Sequence, residues 1–112
     1  MQISFKTRKL QEVFNSDTKL QKMYGKEQAK KIKVRLGVLL SAVNLEEVPK
    51  QKPDRCHPLK GKRQGQYAVD LCHPFRLIFK PVEPFEYLAD GSLDLTKIMG
   101  IIILGVEDYH GD

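Results

Sequence analysis

A chain of 112 residues matches one ordinary domain, 1–112, and leaves no room for a second. With 41% hydrophobic residues it can build one core, yet no apolar run approaches the roughly 20 residues that a membrane-spanning helix needs. The net charge of +5 is uneven: residues 50–80 hold eight Lys or Arg against Asp54 and Asp70, whereas residues 81–112 hold Lys97 against seven carboxylates. A basic middle attracts polyanions, of which nucleic acid is the commonest.

Gln2 to Lys6 alternates polar and apolar, which predicts a short strand carrying Ile3 and Phe5 on one side. Nothing in Met1–Lys6 resembles the apolar stretch of a signal peptide, so a cytoplasmic location is expected. Thr7 suits the N-cap of a helix with Leu10, Val13 and Phe14 at i, i+3, i+4 spacing. Asn15-Ser16-Asp17 interrupts it, a helical turn with Leu20 and Met23 follows, and Gly25 suits a helix end. The next helix, 26–43, carries Ala29, Ile32, Leu36, Leu39, Leu40 and Val43 as one apolar stripe. Its lysines read as an ordinary solvated face. Leu45 and Val48 make a further turn before Pro49, and residues 49–56 are loop.

Beyond that loop the hydrophobic period changes from 3.6 to 2. Tyr67, Val69 and Leu71 alternate with Ala68, Asp70 and Cys72, and Phe75, Leu77 and Phe79 alternate with Arg76, Ile78 and Lys80. With His73-Pro74 between them, the two runs predict a hairpin. Residues 81–96 read as an acidic, mobile connection, and Ile98–Val106 as a central strand. Helices first and antiparallel strands after define an α+β domain, two N-terminal helices packed on one small, mainly antiparallel sheet.

Two segments carry chemistry. His57-Pro58-Leu59-Lys60-Gly61-Lys62-Arg63 sets an imidazole among cations, and the end of the chain, Asp108-Tyr109-His110, joins a carboxylate, a phenol and an imidazole. Such groups move protons near neutral pH. RNA is cut without a metal when its own 2′-hydroxyl attacks the adjacent phosphate, which needs a base, an acid and cations for the charge on phosphorus. His57, Asp108, Tyr109 and His110 are candidates for proton transfer, with base and acid unassigned among His57, His110 and Asp108. Tyr109 could instead stack on a nucleobase. Lys60, Lys62, Arg63 and Arg76 are candidates for phosphate. Arg76 ranks above Lys62 as the transition-state contact, because a guanidinium fork matches phosphate oxygens. His73 reads as a turn residue, and Asp70 as a carboxylate that pairs with a neighbouring cation or faces solvent. Cys56-His57-Pro58 and Cys72-His73-Pro74 repeat a tripeptide but lack the ligand spacing of common zinc sites, so no metal and no cofactor is expected.

His57-Pro58-Leu59-Lys60-Gly61, Gly65, Tyr67–Leu71, Arg76-Leu77-Ile78-Phe79 and Asp108-Tyr109-His110 resemble HigB-like toxins of the RelE/ParE superfamily, the plasmid-maintenance killer type. The resemblance extends over nearly the whole chain. It implies a RelE-like fold and a toxin that cleaves translated mRNA in the A site of the 70S ribosome. It also implies neutralisation by a helix-turn-helix antitoxin of HigA type, with DNA binding only through that complex. His57 and Asp108-Tyr109-His110 match the family's cleavage residues, and Arg76 and Lys60 match its phosphate-holding positions. Two departures stand out. Ala68 and Asp70 replace a serine and an arginine common in the family, removing one phosphate contact, and the acidic insert at 82–96 is unusual. Two alternatives remain: a non-catalytic ParE-like toxin that binds DNA gyrase, which the histidines disfavour, and an RNA- or ribosome-binding domain with lapsed catalysis.

Overall fold

The structure, a computed structural model, describes residues 1–108. The chain opens with strand β1 (Gln2–Phe5) and then folds three helices: α1 (Arg8–Phe14), α2 (Asp17–Tyr24) and α3 (Lys26–Ser41). Strand β2 (His57–Pro58) follows a loop, and β3 (Tyr67–Asp70), β4 (Phe75–Pro81) and β5 (Gly100–Asp108) complete one sheet in the order β1-β5-β4-β3-β2. Among the described residues only the β1–β5 pair is parallel. The α+β architecture and the predominantly antiparallel sheet match the expectation from sequence.

Two helices with a helical turn between them were expected; among the described residues that turn is a full helix, α2. Thr7 caps α1, accepting from the Leu10 amide at 3.1 Å. Ser16 caps α2 in the same way, accepting from Lys19 at 3.2 Å. A second cap so close to the first restarts the helix instead of extending it. Between α2 and α3 the chain reverses at Gly25, whose φ of +85° favours glycine. Helix α3 ends at Ser41, two residues short of the predicted end, and Leu40 and Val43 are exposed rather than part of the buried stripe. Ala29, Ile32 and Leu39 of the predicted stripe are buried, and Gln28 and Arg35 are buried beside them. The last strand begins at Gly100, not Ile98, and continues to Asp108.

One face of the sheet packs under the helices. Leu77 and Phe79 of β4, Ile101 and Ile103 of β5 and Val69 of β3 meet Phe14, Leu20, Ile32 and Leu39 in the core. The other face carries only a small cluster of Leu59, Ala68 and Ile78, with Leu104 against it. Strand alternation therefore sends every second residue of β3, β4 and β5 to a face that no described helix covers. At Gly105, with φ of +150°, the β4–β5 register shifts by one residue, which brings Glu107 opposite Arg76. The connection expected to be loose has a hairpin of its own: the Leu88 amide donates to the Ser92 carbonyl at 2.8 Å and Asp94 to Glu86 at 2.8 Å. No described helix is long and apolar enough to cross a membrane.

Candidate functional site

The site lies on the open face of the sheet, where two levels of cross-strand pairs stack. At one level His57 of β2 pairs with Ala68 of β3, which in turn pairs with Ile78 of β4. At the next, Asp70, Arg76 and Glu107 line up across β3, β4 and β5. Directly opposed residues have Cβ atoms only about 5 Å apart, so Arg76 sits in register between two carboxylates. Arginines continue the row at both ends. Arg55 donates from Nε and Nη2 to the Asp70 carboxylate at 2.7 and 2.9 Å. Arg63 donates to Glu107 from both terminal nitrogens, from Nη1 at 2.7 Å. Arg55, Asp70, Arg76, Glu107 and Arg63 thus alternate in sign along one line.

His57 is half-buried, and its Nδ1 lies 2.7 Å from the Arg55 carbonyl oxygen. A carbonyl can only accept, so Nδ1 carries the proton and the neutral ring leaves Nε2 with a lone pair. That is the tautomer a base needs. Arg76 is 2% exposed, the most buried cation among the described residues, and stands in the ladder between Asp70 and Glu107. It lines a cleft of about 450 Å³ together with Lys52, Arg55, Asp70, His73 and Phe75.

Lys60 and Lys62 are exposed on the turn between β2 and β3, where Gly61–Arg63 forms a single 3-10 turn. Lys60 also borders a second cleft, of about 700 Å³, against Tyr67, Phe85 and Tyr87. Arg63 is committed to Glu107 instead of standing open with the lysines. Asp108 lies opposite Phe75 in the ladder, hence on the strand face away from Glu107. Tyr109 and His110, the remaining proposed catalytic residues, lie outside the described residues.

Helix α3 builds the site from behind. Arg35, 4% exposed, donates from Nε to the Asp70 carbonyl at 2.6 Å and from Nη2 to the Pro53 carbonyl at 3.1 Å. Its third nitrogen lies 3.5 Å from the Asp54 carboxylate. Two turns earlier on the helix, buried Gln28 accepts from the Cys72 amide at 2.9 Å. Together they pin the 49–56 loop and the β3–β4 turn against the helix, which fixes where Arg55 and His73 stand. Sequence reading missed Arg55, Glu107 and this Arg35–Asp54 pair. Only Asp70–Arg76 had a local signal, since the two residues flank a short turn symmetrically.

Cys56 sits in the core and Cys72 is half-exposed. Burial pushes the Cys56 thiol up to about 11 from 9.0, with Lys50 lowering it and Asp54 and Glu46 raising it. A protonated thiol is a poor metal ligand. Among the described residues, no group of three or more His, Cys, Asp or Glu side chains is arranged to hold a metal ion.

No protein-family model and no curated protein sequence matches the chain. Solved structures do. The YoeB/ParE toxin from Agrobacterium tumefaciens superposes with a TM-score of 0.57 at 9% identity, covering 98% of this chain and 100% of that one. The YoeB-YefM complex from Staphylococcus aureus gives 0.56 at 17% identity, over 99% of this chain and 98% of the other. A YoeB dimer from the same organism gives 0.53 at 18%, over the same shares. The chain has the fold of the YoeB/ParE toxins, across essentially its full length.

Proposed function

We propose that this protein is the toxin of a type II toxin–antitoxin pair and an endoribonuclease of HigB-like type, cutting translated mRNA on the ribosome. The observation that carries the reading is the placement of His57, in the tautomer of a base, one ladder level from a row of three arginines on the uncovered face. His57 Nε2 takes the 2′-hydroxyl proton, the freed oxygen attacks the adjacent phosphorus, and the Arg76 guanidinium stabilises the charge that develops there. Tyr109 and His110 complete the acid–base set, with one of them protonating the departing 5′-oxygen, and Asp108, on the opposite strand face, stands outside it. Lys60 and Lys62 draw the strand in, as exposed cations on a turn. A fold shared with a toxin solved in complex with YefM supports an antitoxin partner; for this chain we assign a helix-turn-helix antitoxin of HigA type. The setting is the cytoplasm.

Induced expression in bacteria without antitoxin tests the reading. Growth should arrest, and primer extension should show new, codon-phased 5′ ends on cellular mRNA. Unchanged growth at confirmed soluble expression would rule out a toxin. Arrest with intact mRNA and blocked replication would assign the gyrase-binding alternative, and arrest with intact mRNA and continued replication a ribosome-binding domain without catalysis.

A further inference from the structure

We propose that the cleft of about 700 Å³ between the β2–β3 turn and the 82–96 hairpin is a nucleobase site, which stacks one unpaired base of the RNA that runs past His57. That the base belongs to the substrate rests on the nuclease reading; the site itself does not.

Three rings line this cleft, Tyr67, Phe85 and Tyr87. Tyr67 stacks on Phe79, with centroids 6.1 Å apart and planes 19° from parallel, so one wall is fixed. Phe85 and Tyr87 are 39% and 65% exposed, and neither meets another ring among the described residues. Exposed apolar area gathered at a cavity marks a binding surface. The hairpin holds both rings in place. Tyr87 bridges to Leu93, the Gly91 amide donates to the Leu88 carbonyl at 2.9 Å, and Leu93 packs on the core.

The polar groups select the ligand. Residues 82–96 carry four carboxylates, Glu83, Glu86, Asp90 and Asp94, yet none of them lines the cleft. Asp90 and Asp94 accept from Ser92 and Thr96 within their own turns. Among the described residues of the lining, the one charged group is Lys60, with no carboxylate at ion-pair distance. The Tyr67 hydroxyl and the Gln64 side-chain amide likewise make no hydrogen bond among the described residues. Burial, with Cys56 adding to it, raises the Tyr67 hydroxyl, so it remains a donor. Rings answer the faces of a base, hydroxyl and amide its edge, and the lysine its phosphate. A proline-rich peptide would use the rings and leave the polar groups unanswered.

Position favours the substrate strand. In the described sheet β2 is outermost, and its residues His57 and Pro58 face opposite sides. The imidazole stands on the open face, while Pro58, paired with Tyr67, borders the cleft. Lys60 follows three residues after His57, at most about 10 Å of chain. A single strand crossing this edge therefore meets the imidazole on one side and the rings on the other. The acidic segment that departs from the family pattern supplies two of those three rings.

The test is a titration of the full chain with adenosine 5′-monophosphate, which has no internucleotide bond to cleave, read in aromatic carbon–proton correlation spectra. The Phe85 and Tyr87 ring signals should move upfield and saturate, and ribose 5-phosphate, which lacks the base, should leave them unmoved. Tyr87→Ala should keep the fold and weaken the nucleotide by about 5- to 100-fold, the contribution of one aromatic–base stack. Tyr87→Phe should bind as wild type. Lys60→Gln should weaken the nucleotide but not plain adenosine. In a translation assay Tyr87→Ala should raise KM for mRNA cleavage more than it lowers kcat. Unmoved rings, equal binding of ribose 5-phosphate, or wild-type affinity in Tyr87→Ala overturns the proposal. Tighter binding of a proline-rich peptide to the same rings overturns it too, and assigns a peptide groove. Nucleotide binding at these rings without any mRNA cleavage would sink the nuclease reading and keep the site; cleavage by Tyr87→Ala at wild-type KM would do the reverse.

Discussion

Arg63 and Glu107 lie 44 positions apart in sequence, yet the guanidinium donates to the carboxylate from both terminal nitrogens. This ties the basic turn after His57 to the last strand. It also neutralises a cation that sequence alone would assign to RNA.

Glu107→Gln removes one negative charge beside Arg63. The pair is more than one-third exposed on both sides, at 35% and 37%, so solvent screens it and stability should change by less than ~1 kcal/mol in chemical denaturation. RNA affinity should rise, and its dependence on salt should steepen by about 0.7 in log–log slope, one counterion on a single strand. An unchanged slope would mean that Arg63 stays sequestered without its partner.

His57→Ala removes one hydrogen bond from a half-buried ring, a loss of about 1 kcal/mol. Cleavage in a translation assay should fall by ~10²–10⁴, well beyond what the stability loss explains. His110→Ala is expected to do the same, and the double variant should be far from additive if both serve one step. Wild-type cleavage by His57→Ala would remove it from the site.

Arg35→Met strips the partner from Asp54, a carboxylate only 7% exposed, and orphans the Asp70 and Pro53 carbonyls. Breaking a buried pair from one side typically costs ~3–5 kcal/mol, so the denaturation midpoint should drop sharply. Replacing both residues, Arg35→Met with Asp54→Leu, should recover part of the loss. If the single variant were as stable as wild type, the loop would be held by something other than this pair.

Cys56 supplies a pH signature. Its folded thiol titrates at about 11 against an ordinary 9.0, so the native state holds its proton longer than the unfolded chain. The stabilisation is complete below pH 9 and is lost as pH rises through 11, up to ~3 kcal/mol for the full shift. Comparing denaturation of wild type and Cys56→Ala from pH 8 to pH 11 isolates this term from the tyrosines and lysines that titrate in the same range. Parallel curves would refute it. Alkylation at neutral pH should modify Cys72 well before Cys56.

The elements readable in advance were those with local causes. Thr7 and Gly25 act within a few residues of themselves, and the change of period at Tyr67 reports the pleat of a strand whatever packs on it. The imidazole and cations around His57 were visible because they are adjacent in sequence. The break between α1 and α2 was visible as well, in Asn15-Ser16-Asp17, and so was the turn after it, but its growth into a full helix rests on the Ser16 cap and the burial of Leu20.

What tertiary structure alone decided is the fate of the charges. Arg35 occupies a helical position that looks like solvent-facing arginine, and it is buried only because Asp54 and two carbonyls from other segments arrive around it. Arg76 and Glu107 face each other only after a one-residue shift at Gly105 sets the register. Hydrophobic pattern and caps act over three or four residues and are written into the chain locally. The pairing of charges depends on distances closed by long-range folding, and a cation has the same letter whether it meets solvent, a phosphate or a carboxylate.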